Sequence, residues 1–398
     1  MATPEKIRGI VRRILAEKKA DDRVVLVVSA MGDHTDDLLT LANRVNPDMP
    51  KRELDMLLAT GEQVTIALMA GAFAAQGQAA VSFTGAQAGI KTNARHSKAA
   101  IIDVDAKRVK AALDEDKIVI VAGFQGITED GDITTLGRGG SDTTAVAVAA
   151  GLGTKVCEIF TDVDGVYTAD PRIVPTAQKL SEITFAEMLE LARLGAGVMQ
   201  PRAVEYGEHN GVAIHVRSTF HDTEGTIIRE EYTVQEKNFV IRGVAHDINV
   251  AKIAVRGVKD EPGVAYRIFS ALADANIDVD MIVQSVRVED NKNDILFTVT
   301  KTDLVEAMSV IEVLKETMTF DKVDVEASVA KVSVVGAGML GSPGIAAGMF
   351  GALAHAEVNI GVISTSEISI SCLVAEKDVQ KAVNAIHDYF FPAGQQVD

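Results

Sequence analysis

Thr134–Thr144 reads TTLGRGGSDTT, and the rest of the chain is organised around it. Three glycines flank Arg138, and Ser141 and Asp142 then stand before the small apolar run AVAVAAGLG. Glycine lets main-chain N–H groups come close to a ligand. Ser141 or Asp142 suits the N-cap of a helix starting near Thr143. A helix N-terminus carries unpaired N–H groups and partial positive charge, so it attracts phosphate or carboxylate. Arg138 adds a planar, bidentate donor for the same kind of anion. The stretch therefore reads as an anion cradle feeding a helix. The plainer alternative is a strand–helix turn with a salt-bridged arginine.

The totals narrow the field. At 398 residues the chain has room for two or three domains. Hydrophobic residues at 47% supply a packed core, and 24% charged residues are ordinary for a soluble protein. The net charge of −17 argues against nucleic acid and against an anionic membrane surface as partners. Cys157 and Cys372 are far apart, which gives neither metal spacing nor a disulfide framework, so a reducing cytoplasm is the expected compartment. No apolar run is expected to span a membrane. The basic start contains Glu5 and Glu17 and reads as a helix rather than a targeting signal.

Thr3 and Pro4 open that helix, with Ile7, Ile10, Val11, Ile14 and Leu15 on one face. Arg23–Ser29, Ala79–Phe83, Ile118–Ala122 and Val156–Phe160 read as strands, and Glu53–Gln76 as one long helix. Strands alternating with helices, with polar loops at their carboxyl ends, imply an α/β fold with ligands at that edge. Val212–Val216 closes this part, and the polar stretch His221–Asn238 marks a boundary. Beyond it lies an internal repeat. VAKIAVRG at Val250–Gly257 recurs as VAKVSVVG at Val329–Gly336, and Pro262–Ala265 recurs as Pro343–Ala346. Each copy reads strand, helix, strand, strand, helix, a ferredoxin-like unit. Paired small domains suit a small-ligand sensor, or else a duplicated dimerisation module.

GRGGSDTTA, TDVDGVYTADPRIVP, SAMGDHTDDLL, LATGEQV and FTGAQAGI, followed by two ACT-type repeats, resemble the bacterial aspartate kinase (aspartokinase) family of the amino-acid kinase fold. TSEISIS resembles its lysine- and threonine-regulated branch. The resemblance implies a three-layer αβα kinase domain with a mostly parallel sheet over residues 1–225, lacking the family's first strand. It implies a linker at 226–238 and tandem βαββαβ ACT repeats at 239–320 and 321–398. The implied reaction is phosphoryl transfer from Mg-ATP to the β-carboxylate of L-aspartate, the first step toward lysine, threonine and methionine, under amino-acid feedback.

By the same resemblance, Arg138 and Asp142 are the catalytic residues, and Ser29, Thr35, Glu62, Phe124, Arg138, Ser141 and Asp142 form the aspartate pocket, with Glu62 meeting the substrate ammonium. Thr161, Asp162, Tyr167 and Arg172 serve ATP. Mg2+ is held mainly through the nucleotide phosphates rather than by a protein cage; Asp162, Asp164 and Asp170 lack the spacing and terminal glutamate of an EF-hand. Asp260, Gly263, Asp278, Asp280 and Gln284 in the first repeat, and Ser364, Thr365 and Glu367 in the second, bind lysine or threonine as effector. The alternative for the aspartates is a solvated loop. A homo-oligomer through the ACT repeats is implied, with no nucleic acid and no membrane partner.

Two departures carry a second reading. The family's opening Lys-Phe-Gly-Gly strand would precede the first helix, where this sequence starts, and Gly197 stands where the family places a second lysine. Phosphoryl transfer is mainly positioning plus charge stabilisation, and losing one such donor costs about a hundred- to a thousandfold in rate. On this ground a catalytically impaired sensor or regulatory subunit is the alternative, with weak turnover as its expectation.

Overall fold

The computed structural model describes residues 3–232, 240–287, 291–339 and 341–392, with the backbone alone at 286 and 287. The chain divides into two compact units. The first is Met1–Val166, Ser181–Ala192 and Gly197–Thr233; the second is Tyr167–Leu180, Arg193–Ala196 and Val234–Asp398.

The first unit runs α1 (Pro4–Glu17), β1 (Val25–Val28), α2 (His34–Val45), α3 (Lys51–Leu58), α4 (Thr60–Ala74), β2 (Ala80–Phe83), β3 (Ile90–Thr92), β4 (Ile101–Val104), α5 (Lys107–Asp114) and β5 (Ile118–Ala122). It continues with β6 (Gln125–Ile127), β7 (Ile133–Thr135), α6 (Gly140–Leu152), β8 (Val156–Thr161), β9 (Glu182–Thr184), α7 (Phe185–Arg193), α8 (Pro201–Asn210), β10 (Ala213–Ser218) and β11 (Thr226–Arg229). The Thr3 hydroxyl accepts from the Lys6 N–H and Pro4 occupies the first turn, so α1 starts where its sequence dictates.

The central sheet is parallel, in the order β1-β5-β2. Strand β5 shows why it is a middle layer. Ile118, Ile120 and Ala122 pack with Ile7 and Val11 of α1 and Ile66, Met69 and Phe73 of α4. Val119 and Val121 face the other way, onto Val109 and Leu113 of α5 and Val148 of α6. Alternate side chains of one strand thus feed two helical layers. A second sheet, β8-β10-β11-β9, and a small one, β4-β3-β6-β7, complete the unit.

Three expectations change. The long helix is two, α3 and α4, meeting at Ala59. Together, Lys51–Ala74 are long and apolar enough to cross a membrane by length and composition, which the sequence reading did not find. Ile66, Met69 and Phe73 nevertheless belong to the core just described. Residues 226–229 of the expected linker form β11, paired antiparallel with β10, while 233–238 lie outside the described residues.

The second unit carries β12 (Gly243–Lys259), α9 (Val264–Asp274), β13 (Ile282–Arg287), β14 (Lys292–Thr300), α10 (Leu304–Leu314), β15 (Lys322–Val335), α11 (Ile345–His355), β16 (Val362–Thr365), β17 (Ser369–Ala375) and α12 (Val379–Phe390). One six-stranded sheet, β13-β14-β12-β15-β17-β16, joins both repeats. Its register shows that the repeats exchange edges. Val250–Arg256 pair with Val329–Lys322, and the earlier Gly243–Asp247 pair with Val335–Lys331. The fourth strand of the second repeat therefore comes from residues ahead of the first repeat. The expected boundary at 320/321 falls just before β15, a strand that serves both repeats.

Residues 167–180 also belong to this unit. The Val244 N–H donates to the Thr168 carbonyl at 2.7 Å, Asn384 Nδ2 to the Ile173 carbonyl at 3.1 Å, and Thr168 Oγ1 lies 2.9 Å from His387 Nε2.

Candidate active site

The cradle sits where β1 and β5 end. The Gly123 N–H donates to the Val28 carbonyl at 3.0 Å, so the chain after β5 leaves beside Ser29 and Ala30. At Gly123 an added Cβ would stand 2.7 Å from Ser141 Oγ and 3.0 Å from Ser141 Cα, which brings α6 against the bare backbone. Phe124 follows in a left-handed conformation (φ 65°), its N–H donating to Thr144 Oγ1 at 3.2 Å. At Gly140 an added Cβ would stand 2.9 Å from the Phe124 ring, so that ring walls the start of α6.

The expected side-chain cap is not there. Helix α6 begins at Gly140, and its N-cap is Gly139 in the left-handed region (φ 68°) with no side-chain hydrogen bond. Ser141 and Asp142 lie inside the first turn instead. The turn is tight enough that the backbone itself, with glycine's freedom at Gly137 and Gly139, closes the loop. This leaves the N-terminal N–H groups of α6 uncapped by any side chain, and the exposed Arg138, two residues ahead of the helix, has no hydrogen-bond or ion-pair partner among the described residues.

Glu62 lies in the first turn of α4 and is only 2% exposed. Its Oε1 accepts from the Ala30 N–H at 3.0 Å, and its Oε2 has no partner. Burial pushes its carboxyl up to about 7 against the opposing main-chain N–H bonds. Asp142 is pushed up to about 6, also by burial. An orphaned carboxylate oxygen on α4, an uncapped N-terminus on α6 and a free guanidinium at Arg138 offer both signs of charge, the complement of an α-amino acid. Exposed Ser29 follows β1, and Thr35 lies partly buried in the first turn of α2.

The four residues expected to serve the nucleotide fall in both units. Thr161 and Asp162, at the end of β8, are in the first unit, and Thr161 Oγ1 donates to Asp162 Oδ1 at 3.1 Å. Tyr167 and Arg172 are in the second, where Arg172 pairs with Asp170 at 2.7 Å and holds that carboxyl below its ordinary range. Among the described residues, no group of three or more His, Cys, Asp or Glu is arranged to hold a metal. Both cysteines are free and buried, and burial pushes each thiol up to about 12.

In the repeats, Gly263 and Gly344 cap α9 and α11 in the left-handed region, at matching places. Asp260 accepts from Asn293 Nδ2 at 2.8 Å, and Asp280 is paired with the buried ammonium of Lys331 on β15. Asp278, Gln284, Thr365 and Glu367 are exposed, and Ser364 is partly buried. The sequence reading missed Lys331 and Asn293 as partners of these aspartates. It also missed Gln200, whose side chain occupies the space a Cβ on Gly139 would need.

The amino acid kinase family model matches residues 1–218, and an ACT domain model matches 253–313 and 332–390. The aspartokinase of Mycolicibacterium smegmatis is 49% identical over 393 residues, 98% of this chain and 93% of that protein. The chain belongs to the aspartokinase family. Among solved structures, Escherichia coli aspartokinase III in complex with aspartate and ADP (R-state) matches with a TM-score of 0.82 over 98% of this chain and 97% of that one. At 24% identity that match speaks for the fold alone. The same enzyme in complex with lysine and aspartate (T-state) matches with a TM-score of 0.76 and 25% identity, again over 98% and 97%. As an aspartokinase the chain is a phosphotransferase.

Proposed function

We propose that this aspartokinase binds L-aspartate in the cradle between β1, β5 and α6, and transfers the γ-phosphoryl group of Mg-ATP to its β-carboxylate. The observation that carries the reading is Glu62, a buried carboxylate with one oxygen left without a partner. An unpaired buried acceptor of this kind is costly unless a ligand fills it. The substrate ammonium is the fitting donor. Arg138 takes a substrate carboxylate by its planar fork, and the uncapped turn at Gly140–Asp142 steadies the same anion. Ser29, Thr35 and Phe124 complete the wall. One β-carboxylate oxygen then forms a bond to the γ-phosphorus as the bond to the β,γ-bridging oxygen breaks, leaving ADP and an acyl phosphate. Mg2+ bound to the phosphates supplies charge neutralisation. Thr161 and Asp162 at the end of β8 in the first unit are assigned to the nucleotide by the family resemblance.

The relatives favour this catalytic reading over an impaired sensor. Gly197 itself is not crowded, since an added Cβ there meets nothing within 4 Å. In the second unit, Asp260, Gly263, Asp278, Asp280 and Gln284, and the Ser364–Glu367 loop, are assigned to an amino-acid effector, lysine or threonine. The test of the catalytic reading is a coupled assay in which Mg-ATP, aspartate and hydroxylamine give aspartyl hydroxamate. Product formation that saturates with aspartate and is lost in Glu62→Ala supports it. No product at any aspartate concentration overturns it.

A further inference from the structure

Asp55 is an aspartate in the interior of a helix, fully buried, with no place in the reaction described so far. Its carboxylate is the acceptor for a cluster of donors from two segments. The Ser97 N–H donates to both oxygens at 3.0 and 2.9 Å, and the Ser97 hydroxyl reaches Oδ1 at 3.4 Å. Thr135 Oγ1 donates to Oδ1 at 2.6 Å, and His96 Nδ1 lies 2.9 Å from Oδ2.

Both segments border the cradle. Thr135 is three residues before Arg138. Ser97 touches the cradle from outside, because a Cβ on Gly137 would stand 3.1 Å from the Ser97 carbonyl oxygen. The two segments are also tied to each other: the Ala99 N–H donates to the Thr135 carbonyl at 3.0 Å, and Arg202 of α8 bridges them, Nη1 donating to the Leu136 carbonyl at 2.8 Å and Nη2 to the Ala99 carbonyl at 2.5 Å. Ser97 holds a left-handed backbone (φ 66°), a conformation a serine keeps only when its surroundings fix it. Here the fixing group is Asp55. The same helix pair carries Glu62, seven residues on, and Gln125 Nε2 pins the junction between the two helices through the Ala59 carbonyl at 2.9 Å.

We propose that Asp55 is the positioning residue of the substrate clamp: its buried carboxylate locks Ser97 and Thr135 in place and so sets where Gly137 and Arg138 stand relative to Glu62. The proposal rests on Arg138 gripping a substrate carboxylate. Asp55 touches neither substrate nor nucleotide. It holds the segment that carries Arg138 against the helix pair that carries Glu62, and a misplacement of about 1 Å in such a clamp costs up to about a hundredfold.

The test uses the full chain, with KM and kcat for both substrates and the aspartate Kd by calorimetry. In Asp55→Asn the aspartate KM and Kd rise about tenfold or more while the ATP KM stays within about twofold. Adding Ser97→Gly to Asp55→Asn recovers most of the loss, because glycine needs no anchor to adopt φ 66°. Thr135→Val removes one donor from the same carboxylate at almost constant volume, and shows the same split in milder form; it also stands in if Asp55→Asn does not fold. Arg138→Ala is the control. If it raises the aspartate KM but Asp55→Asn and Thr135→Val leave it unchanged, or raise both KM values together without rescue by Ser97→Gly, the positioning role is overturned. If Arg138→Ala leaves the aspartate KM unchanged, the clamp itself is overturned, and the role of Asp55 with it.

Discussion

The main-chain N–H of Ala30 donates to one oxygen of Glu62 at 3.0 Å, and the other oxygen of Glu62 is left without a partner. The half-satisfied, 2% exposed carboxyl is pushed up to about 7 by burial, from an ordinary value of 4.5. Between those values the folded state holds a proton that the unfolded chain has released. Stability without substrate is therefore full below about pH 4.5 and falls as pH rises to about 7, by on the order of 3 kcal/mol from this group. Asp142 acts in the same direction over a lower range. Glu62→Gln should flatten the upper part of that slope in thermal denaturation. An ammonium bound beside Glu62 favours its charged form, so aspartate affinity should rise with pH up to about 7 in the parent and lose that dependence in Glu62→Gln. Parallel pH profiles for parent and variant would remove Glu62 from the site.

Gly123 is a second point of prediction, since its missing side chain lets Ser141 approach. Gly123→Ala places a methyl 2.7 Å from Ser141 Oγ and 2.8 Å from its Cβ, which forces α6 to shift. Overpacking of this kind costs about 1–3 kcal/mol. The aspartate KM should rise about tenfold or more, read in the hydroxamate assay. Gly9→Ala is the contrast: mid-helix in α1, with nothing within 4 Å, it should leave kinetics unchanged and stabilise by up to about 1 kcal/mol.

Much of this architecture is legible in the sequence because it rests on local signals. The apolar runs at β1, β5 and β8 are strands, Thr3-Pro4 starts a helix, and the Pro-Gly repeats sit before α9 and α11. What escapes the sequence is what depends on distant partners. Asp55 looks like any surface aspartate of a charged helix until Ser97, His96 and Thr135 are brought to it from 41 to 80 residues away. Ser141 and Asp142 have the chemistry of a cap, yet Gly139 closes the turn by backbone conformation alone. The exchange of strands between the repeats is invisible because Gly243–Asp247 and Val250–Arg256 form one continuous run, and only the register on β15 divides it.

Gly197 offers a gain-of-function test. Its backbone is not left-handed and an added Cβ would meet nothing within 4 Å, so larger residues fit without strain. Gly197→Ala should change stability and kinetics little. Gly197→Lys installs a cation where the family resemblance places one. If the chain lacks a phosphate donor at that place, kcat should rise by about tenfold or more, while the aspartate KM stays put. An unchanged kcat in Gly197→Lys would show that the cationic role is already filled by another group.

His387 gives the second unit a pH response of opposite sign to that of Glu62. Its ring is fully buried, lies 2.9 Å from Thr168 Oγ1 and stacks on Phe391 at 4.9 Å between centroids, while its Nδ1 has no partner. Burial lowers its pKa from 6.5, partly offset by Asp388, so the folded state keeps the ring neutral. As pH falls below about 6.5 the unfolded chain takes up a proton that the folded state refuses, and stability is lost from there downward. Thermal midpoints should therefore fall between about pH 6.5 and 5.5 in the parent, less so in His387→Gln, which keeps a hydrogen-bonding partner for Thr168 but cannot charge. Because Thr168 belongs to the same unit through Val244 and His387, the loss should appear first as increased amide exchange across residues 168–178 and along α12. Equal exchange in parent and His387→Gln at pH 5.5 would mean that the ring does not hold this segment.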